Sequence, residues 1–254
     1  MNLVFLIAGR EFKAGMSTPR MSAVVFFFLL FMGWFFSNFI ETFVNLQQRA
    51  PMMGGQAPTM EQLLRAMFYN LHFILILIVP AVTMGVFSEE KRNQSYRLLQ
   101  TAPISSLKVV LGKFLAVAAM MTIVLFLSGV FPAFLMAYGN PDVGVVVGSY
   151  VGLFLLICAQ LAFGVWVSSL TQNQFLAFLF TMLGLFLMMI LDFLAPTIAG
   201  GGPLEEVLKY FATSRHLDVF FKGVLSVSDI SYFVILIVGF LFFTNVSLDS
   251  QRWR

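Results

Sequence analysis

The chain carries its charges in clusters and leaves five long stretches free of Asp, Glu, Lys and Arg. A helix needs about 20 mostly apolar residues to cross the hydrocarbon of a bilayer. Met21 to Ile40, Ala66 to Ser88 and Phe114 to Pro141 each allow one crossing, the second and third with an internal proline, Pro80 and Pro132. Membrane helices tolerate such prolines. Val143 to Leu191 is long enough for two crossings, and its only polar interruption, Ser168 to Gln174, reads as the tight turn of a helical hairpin. Ile230 to Leu248 supplies a sixth. The pattern predicts an all-α integral membrane protein with one transmembrane domain over residues 1–254 and spans at 21–40, 68–87, 110–137, 143–168, 174–194 and 230–248. The first span is too long for the apolar region of a signal peptide and no small-residue cleavage site follows it, so it is expected to stay in the membrane.

Composition agrees with the pattern. Apolar residues make up 59% of the chain, charged ones 11%, and mean hydropathy is +0.91, whereas soluble globular chains hold about 25% charged residues. Too little polar surface remains to cover a water-exposed body, which excludes a soluble enzyme. Disorder and a disulfide scaffold are excluded too, because apolar content is high and Cys158 is the sole cysteine. The net charge of +3 does not point to nucleic acid here, since Lys and Arg accumulate in the cytoplasmic loops of membrane proteins. With a cytoplasmic N-terminus, ten of the fifteen Lys and Arg fall on the inner side, and five of those lie between Lys91 and Lys113. Both termini are therefore expected in the cytoplasm.

Residues 1–20 are too polar to span. Leu3 to Ile7 and Phe12 are apolar, while Arg10, Lys13, Ser17 and Arg20 recur along one helical face, as in a helix lying in the headgroup layer. A tail with accidental periodicity is the plainer alternative, but the segment enters the first span without a linker. Glu41 to Arg65, with Pro51, Gly54, Gly55 and Pro58, reads as irregular with a short helix after Thr59. Beyond Leu194, Pro196 and the run Gly200 to Pro203 are expected to break any helix. Val207, Leu208, Phe211, Leu217, Phe220 and Phe221 then alternate with Glu205, Glu206, Lys209, Arg215 and Lys222. That alternation fits two short re-entrant or interfacial helices between spans five and six, or equally an external cap.

Ser88 to Lys113 is the most informative segment. Four consecutive charges, Glu89, Glu90, Lys91 and Arg92, lie where the second span ends. Tyr96, Leu98 and Leu99 give the short helix behind them an apolar tip, Pro103 stops it, and Ser105 or Ser106 can cap the third span. A solvated loop with helix caps needs no partner, yet an apolar tip framed by paired charges suits docking into another protein. Elsewhere the chain offers little chemistry. Asp192 closes the long apolar run, where an acid is a candidate intramembrane polar site, but it stands four residues before Pro196 and so near a span boundary. His72 and His216 have no partner at ligand spacing, so no metal site is expected, and no nucleophile, acid–base pair or redox motif is found.

This constellation resembles the permeases of ABC type-2 transporters. The residues that carry the resemblance are Glu89 to Arg92 before the short helix, Leu98, Leu99, Thr101 and Pro103 after it, and the pair Gly112 and Lys113. Further along, Ser168 to Gln174, His216 to Gly223 with Asp229 and Tyr232, and the closing Ser247 to Arg254 agree as well. Within the family the chain is most similar to the gliding-motility-associated group. It departs from that group at Gln94, Ser95 and Arg97, where Gly-Thr followed two residues later by Glu is frequent, and Arg97 reverses the charge available for a contact.

The resemblance implies a multi-pass permease subunit of the bacterial inner membrane, an exporter component rather than an enzyme, which pairs with a second permease subunit as homodimer or heterodimer. It implies separate ABC ATPase subunits that bind ATP and Mg, because this chain has no phosphate loop of the form Gly-x-x-x-x-Gly-Lys-Ser/Thr. No cofactor is expected in the chain itself. The segment 88–103 would then be a coupling helix whose Glu89, Glu90, Lys91, Arg92, Ser95, Tyr96, Leu98, Leu99, Thr101 and Pro103 dock on the ATPase, with Thr171, Gln172 and Asn173 as a second contact. Membrane lipid is the remaining partner, and nucleic acid is not one. Two other readings stay open. A stand-alone secondary transporter or channel would call for ionisable residues near mid-bilayer or an internal repeat, and a third reading is a membrane anchor for a motility or secretion assembly.

Overall fold

Helices α1 (Leu3–Met16) and α2 (Pro19–Met53) open the chain, and α3 (Met60–Thr83) and the short α4 (Ser88–Arg92) follow. Next come α5 (Ser106–Ser128), α6 (Val130–Gly139), α7 (Val143–Leu170) and α8 (Gln174–Ala199). Two nine-residue helices, α9 (Pro203–Phe211) and α10 (Thr213–Phe221), precede the last, α11 (Val227–Arg252). These come from a computed structural model that describes residues 3–53, 59–94, 104–139, 142–200 and 202–252. Among the described residues there is no strand, and six helical runs are long and apolar enough to cross a membrane.

Local chemistry explains several helix ends that the hydropathy pattern placed elsewhere. Helix α2 continues to Met53, through the segment predicted to be irregular, because Glu41 to Arg49 contains good helix formers and no breaker. The short helix expected after Thr59 is the first turn of α3 itself. There Thr59 and Gln62 form a capping box, with Gln62 N–H donating to Thr59 Oγ1 at 3.4 Å and Thr59 N–H to Gln62 Oε1 at 3.2 Å. The third crossing is made in two pieces that meet at Gly129, since Pro132 has no N–H to give the carbonyl of Ser128. Pro196 does not end α8. The helix passes through it, at the loss of one bond to Asp192, and stops at Gly200, whose φ of 61° is open to glycine at little cost.

Helix α7 is the centre of the bundle: 72% of its most apolar stretch is buried, against 17% for α2 and α8, which lie at the periphery. Helix α11 runs against α7, and α10 is wedged against the same helix. Lipid is as apolar as a leucine side chain, so helices associate in a bilayer through close packing at small residues rather than through the hydrophobic effect. Gly152 and Gly164 are such sites. A Cβ on Gly152 would stand 2.6 Å from Phe220 Cβ, and one on Gly164 would stand 2.3 Å from Thr83 Oγ1. Beside this seam Phe68 stacks on Phe221 at 5.6 Å and meets the edge of Tyr150 at 5.7 Å. Hydroxyls inside the bundle bond to their own helix one turn back, as Thr83 to Val79 O at 2.9 Å, Ser149 to Val145 O and Thr181 to Ala177 O at 2.7 Å. No water is needed to satisfy them.

At the end of the bundle away from the chain termini, α10 is fixed from several sides. Ser214 Oγ donates to Met189 O at 3.0 Å, and Tyr69 on α3 donates to Asp218 Oδ1 at 2.7 Å, while Lys222 pairs with the same carboxylate. Burial acts to raise the Asp218 carboxyl, but the hydrogen bonds from Lys222 and Tyr69 outweigh it and hold the group below the usual carboxylate range.

Two outcomes follow. Gly152→Val should displace Phe220 and destabilise the protein by about 1–3 kcal/mol, read as a lower midpoint of thermal unfolding in detergent. Gly239→Ala, with nothing near the added Cβ, should stay within about 0.5 kcal/mol of the native protein. Because the Asp218 carboxyl is held low in the folded state, its contribution is present above the ordinary carboxylate range and disappears as pH falls through the lowered value. The difference in midpoint between the native protein and Asp218→Asn should therefore be constant from neutral pH to about 4 and shrink below it.

Candidate functional site

The opposite end of the bundle gathers α1, the start of α5, the turn between α7 and α8, and the last turn of α11. Ser106 on α5 donates to Asp249, and Gln251 reaches Ser169 O at 3.4 Å, so the C-terminal turn is tied to both neighbours. Into this assembly comes the chain that leaves α3. It makes turns over residues 84–87 and then forms α4.

Three sets of bonds fix α4. The first satisfies its N-terminus: Phe87 N–H and Ser88 N–H donate to Ser168 Oγ at 3.1 and 3.2 Å, and that hydroxyl donates to Met84 O at 3.1 Å. No local side chain caps α4, so a serine eighty residues away on α7 does the work of a cap. The second is a two-pronged ion pair, Arg20 on α2 donating to both oxygens of Glu89 at 2.8 and 3.1 Å, the strongest geometry for that pairing. The third centres on Lys113 of α5. Its Nζ lies 2.7 Å from Glu90 Oε1, 3.1 Å from Val86 O and 3.6 Å from Glu11 Oε2 of α1, and 5.4 Å from the centre of the Phe87 ring. The Lys113 side chain is only 5% exposed, and an ammonium so buried must be paired. Lys91 completes the set by donating to Ser169 O.

Helix α1 joins the same site. Gly112 lets it approach α5 so closely that a Cβ there would stand 2.7 Å from Ile7 Cγ2, and the adjacent Lys113 then reaches Glu11. The Gly112 and Lys113 pair is thus one device, a gap and a fastener.

The residues singled out from sequence are distributed unevenly. Glu89, Glu90 and Lys91 point to the chain's own helices, whereas Arg92 is exposed, as are Asn93 and Gln94 beyond it. Ser95, Tyr96, Leu98, Leu99, Thr101 and Pro103 lie outside the described residues. Thr171 is half-buried, and Gln172 and Asn173 are exposed in the turn beside α4, where Asn173 Oδ1 caps α8 by accepting from Phe175 N–H at 2.9 Å. Asp192 is half-buried about two turns from the end of α8, at the other end of the bundle, in the field of Tyr69. Sequence reasoning missed Glu11, Arg20, Lys113 and Ser168 as members of this site. The available signal was Lys113, a charge followed by an apolar run long enough to span, which cannot face lipid unpaired.

His216 also finds partners that linear spacing does not reveal. Its Nε2 faces the carbonyl of Tyr210 at 3.0 Å and its Nδ1 lies 2.6 Å from Asp229 Oδ1, while the ring stacks on Tyr232 at 3.8 Å. Among the described residues no group of three or more His, Cys, Asp or Glu is placed to hold a metal.

Helix α4 is thus bonded to α2, α5 and α7 at once. The two cations that hold it differ in burial, and the difference is measurable. Lys113→Met, which removes a buried cation, should cost about 3–5 kcal/mol, whereas Arg20→Met, at a pair 51% and 34% exposed, should cost no more than about 1 kcal/mol. Thermal unfolding of the two purified variants in the same detergent checks the order.

A search of the curated proteins found no match. The family model described as ABC-2 family transporter protein matches residues 5–251, which takes in α1, all six spans and the anchored segment around α4. The chain is a multi-pass membrane permease and belongs to the ABC-2 transporter family.

Proposed function

We propose that the chain is the transmembrane subunit of an ABC exporter, driven by ATP that is bound with Mg and hydrolysed on a separate ATPase subunit docked at the end bearing α1 and α4. The observation that carries this reading is the bonding of α4. A segment that receives a push must be rigidly joined to what it moves, and Arg20–Glu89, Lys113–Glu90 and Ser168 join it to the first, third and fourth crossings. The inward charges serve as the root of the coupling segment. The exposed Arg92, Asn93, Gln94, Gln172 and Asn173 offer the outward contact, and the sequence adds Tyr96, Leu98 and Leu99 as candidate apolar anchors.

Closure of an ATPase pair on that surface would displace α4, and the displacement would pass into α2, α5 and α7 as rigid elements. Lys113 also touches Glu11, so α1 would move with them. On this reading the end bearing the termini faces the cytoplasm of a bacterial inner membrane, in keeping with the excess of Lys and Arg there. A second permease subunit would pack on the peripheral helices α2 and α8, whose outward faces, with α3, enclose an apolar cavity of about 530 Å³ lined by Trp34, Phe35, Phe73 and Phe186. The residues shared with gliding-motility-associated permeases support a place in that group.

The test is association. The tagged chain, extracted from its own cells in mild detergent, should retain an ATPase chain that carries a phosphate loop, and the complex should hydrolyse ATP. Arg92→Glu and Leu99→Asp, made singly and together, should lower that retention by about tenfold or more, as expected for loss of a charged contact and an apolar anchor at an interface. Full retention by the double variant would overturn the docking role.

A further inference from the structure

A cavity of about 250 Å³ opens between α1, the start of α2, the end of α3 and α5. Its lining is graded. The side towards the chain termini holds Glu11, Arg20, Glu89 and Lys113; the deeper side holds Val24, Val82, Val117 and Met120. On α2 the change from Arg20 to Val24, and on α5 that from Lys113 to Met120, occur over about 6 and 10 Å of helix at about 1.5 Å per residue. The chain from the end of α3 into α4 repeats the order, with Val82 preceding Glu89. The space exists because its walls are built from small residues, Ala14, Gly15, Ala81 and Ala116 among them. A cavity charged at one end and apolar at the other, where helices leave a bilayer, matches an amphiphile.

We propose that it holds the headgroup of one zwitterionic phospholipid with a primary ammonium, phosphatidylethanolamine. The four charged lining groups sum to zero, two of each sign, which complements a zwitterion rather than an anion. Arg20 spends one N–H of each terminal nitrogen on Glu89 and keeps the others for a phosphate. The carboxylates of Glu11 and Glu89 retain lone pairs after their contacts with Arg10 and Lys113, and with Arg20 and Gln174, and accept the ammonium hydrogens. A choline headgroup brings no N–H for those carboxylates, and a glycerol headgroup brings no positive charge. In volume the cavity equals about eight waters at about 30 Å³ each, which accommodates phosphoethanolamine, while the acyl chains continue along Val24 and Met120. This site requires only that the chain sit in a membrane, so it stands or falls apart from ATPase docking.

The full-length chain, purified in detergent and stripped of lipid, is titrated with phosphatidylethanolamine, phosphatidylcholine and phosphatidylglycerol of identical acyl chains, and bound lipid is counted by native mass spectrometry. One phosphatidylethanolamine should be retained at concentrations about tenfold below those needed for the other two, the factor expected of charge-assisted hydrogen bonds. Ala81→Leu, which fills the cavity without touching its charges, and Glu11→Gln, which leaves the space open, should each reduce that retention to the phosphatidylcholine level. Where Ala81→Leu fails to give a monodisperse protein, Glu11→Gln decides. Equal retention of the three lipids, preference for phosphatidylglycerol, or an unchanged preference in every folded variant would overturn the proposal.

Discussion

A charge placed where water is scarce must find its counter-charge within the protein, and in this chain that requirement falls on Lys113. Its ammonium lies inside a crossing helix and is almost wholly covered, so the groups that neutralise it cannot be solvent. They are Glu90 of α4 and Glu11 of α1, so one lysine ties both elements to the bundle. Satisfying one lysine therefore adds to the contacts that locate α4 and α1 relative to the bundle. The same logic holds for the backbone. The first N–H groups of α4 would be unpaired at a buried start, and Ser168 supplies the acceptor from another crossing.

These bonds give the molecule a stiff end and a contrast with the other. Around α4, links of long sequence separation run to α2, α5 and α7, and all of them meet within one turn of helix. At the far end α10 is held by aromatic packing, by the buried pair of His216 and Asp229, and by the half-exposed Tyr69–Asp218–Lys222 cluster. The aromatic part of that packing tolerates sliding better than the bonds of the buried Lys113, whose ammonium would be stranded by movement. On the proposed reading, displacement entering at α4 would be carried as a unit and adjustment would fall on the far end, where Gly200 and Gly129 break the regularity of two crossings.

Most of the helical layout was legible because charge-free length is a direct reading of what a bilayer accepts. What hydropathy reads, however, is the membrane and not the helix. Helix α2 overshoots its predicted end because Glu41 to Arg49 favour helix in water as well as in lipid, and α8 overshoots Pro196 because a proline near a helix end removes one bond only. The charged run Glu89 to Arg92 stands out in the sequence, but the sequence does not say which way each side chain turns. That depends on Arg20, Lys113 and Ser168, from crossings distant in sequence. His216 was set aside as a metal ligand for lack of a partner at ligand spacing, and its hydrogen-bond partner Asp229 stands thirteen residues on, across a turn.

Arg20, Glu89 and Lys113 have two positions at once: they root α4 and they line the cavity beside α1. Anything bound among them senses where α4 stands, because a shift of α4 moves Glu89 relative to Arg20 and alters the charges the ligand meets. Coupling of this kind is reciprocal, so an amphiphile that favours one position of α4 is itself bound more tightly in that position. A ligand with equal affinity for both positions would shift nothing, however tightly held. The geometry argues against such indifference, since a phosphoethanolamine group needs Arg20 and Glu89 at a fixed separation and Glu11 on the far side. The lipid environment and the segment that receives mechanical input would then be joined through the same few ionic contacts, with the Arg20–Glu89 pair common to both.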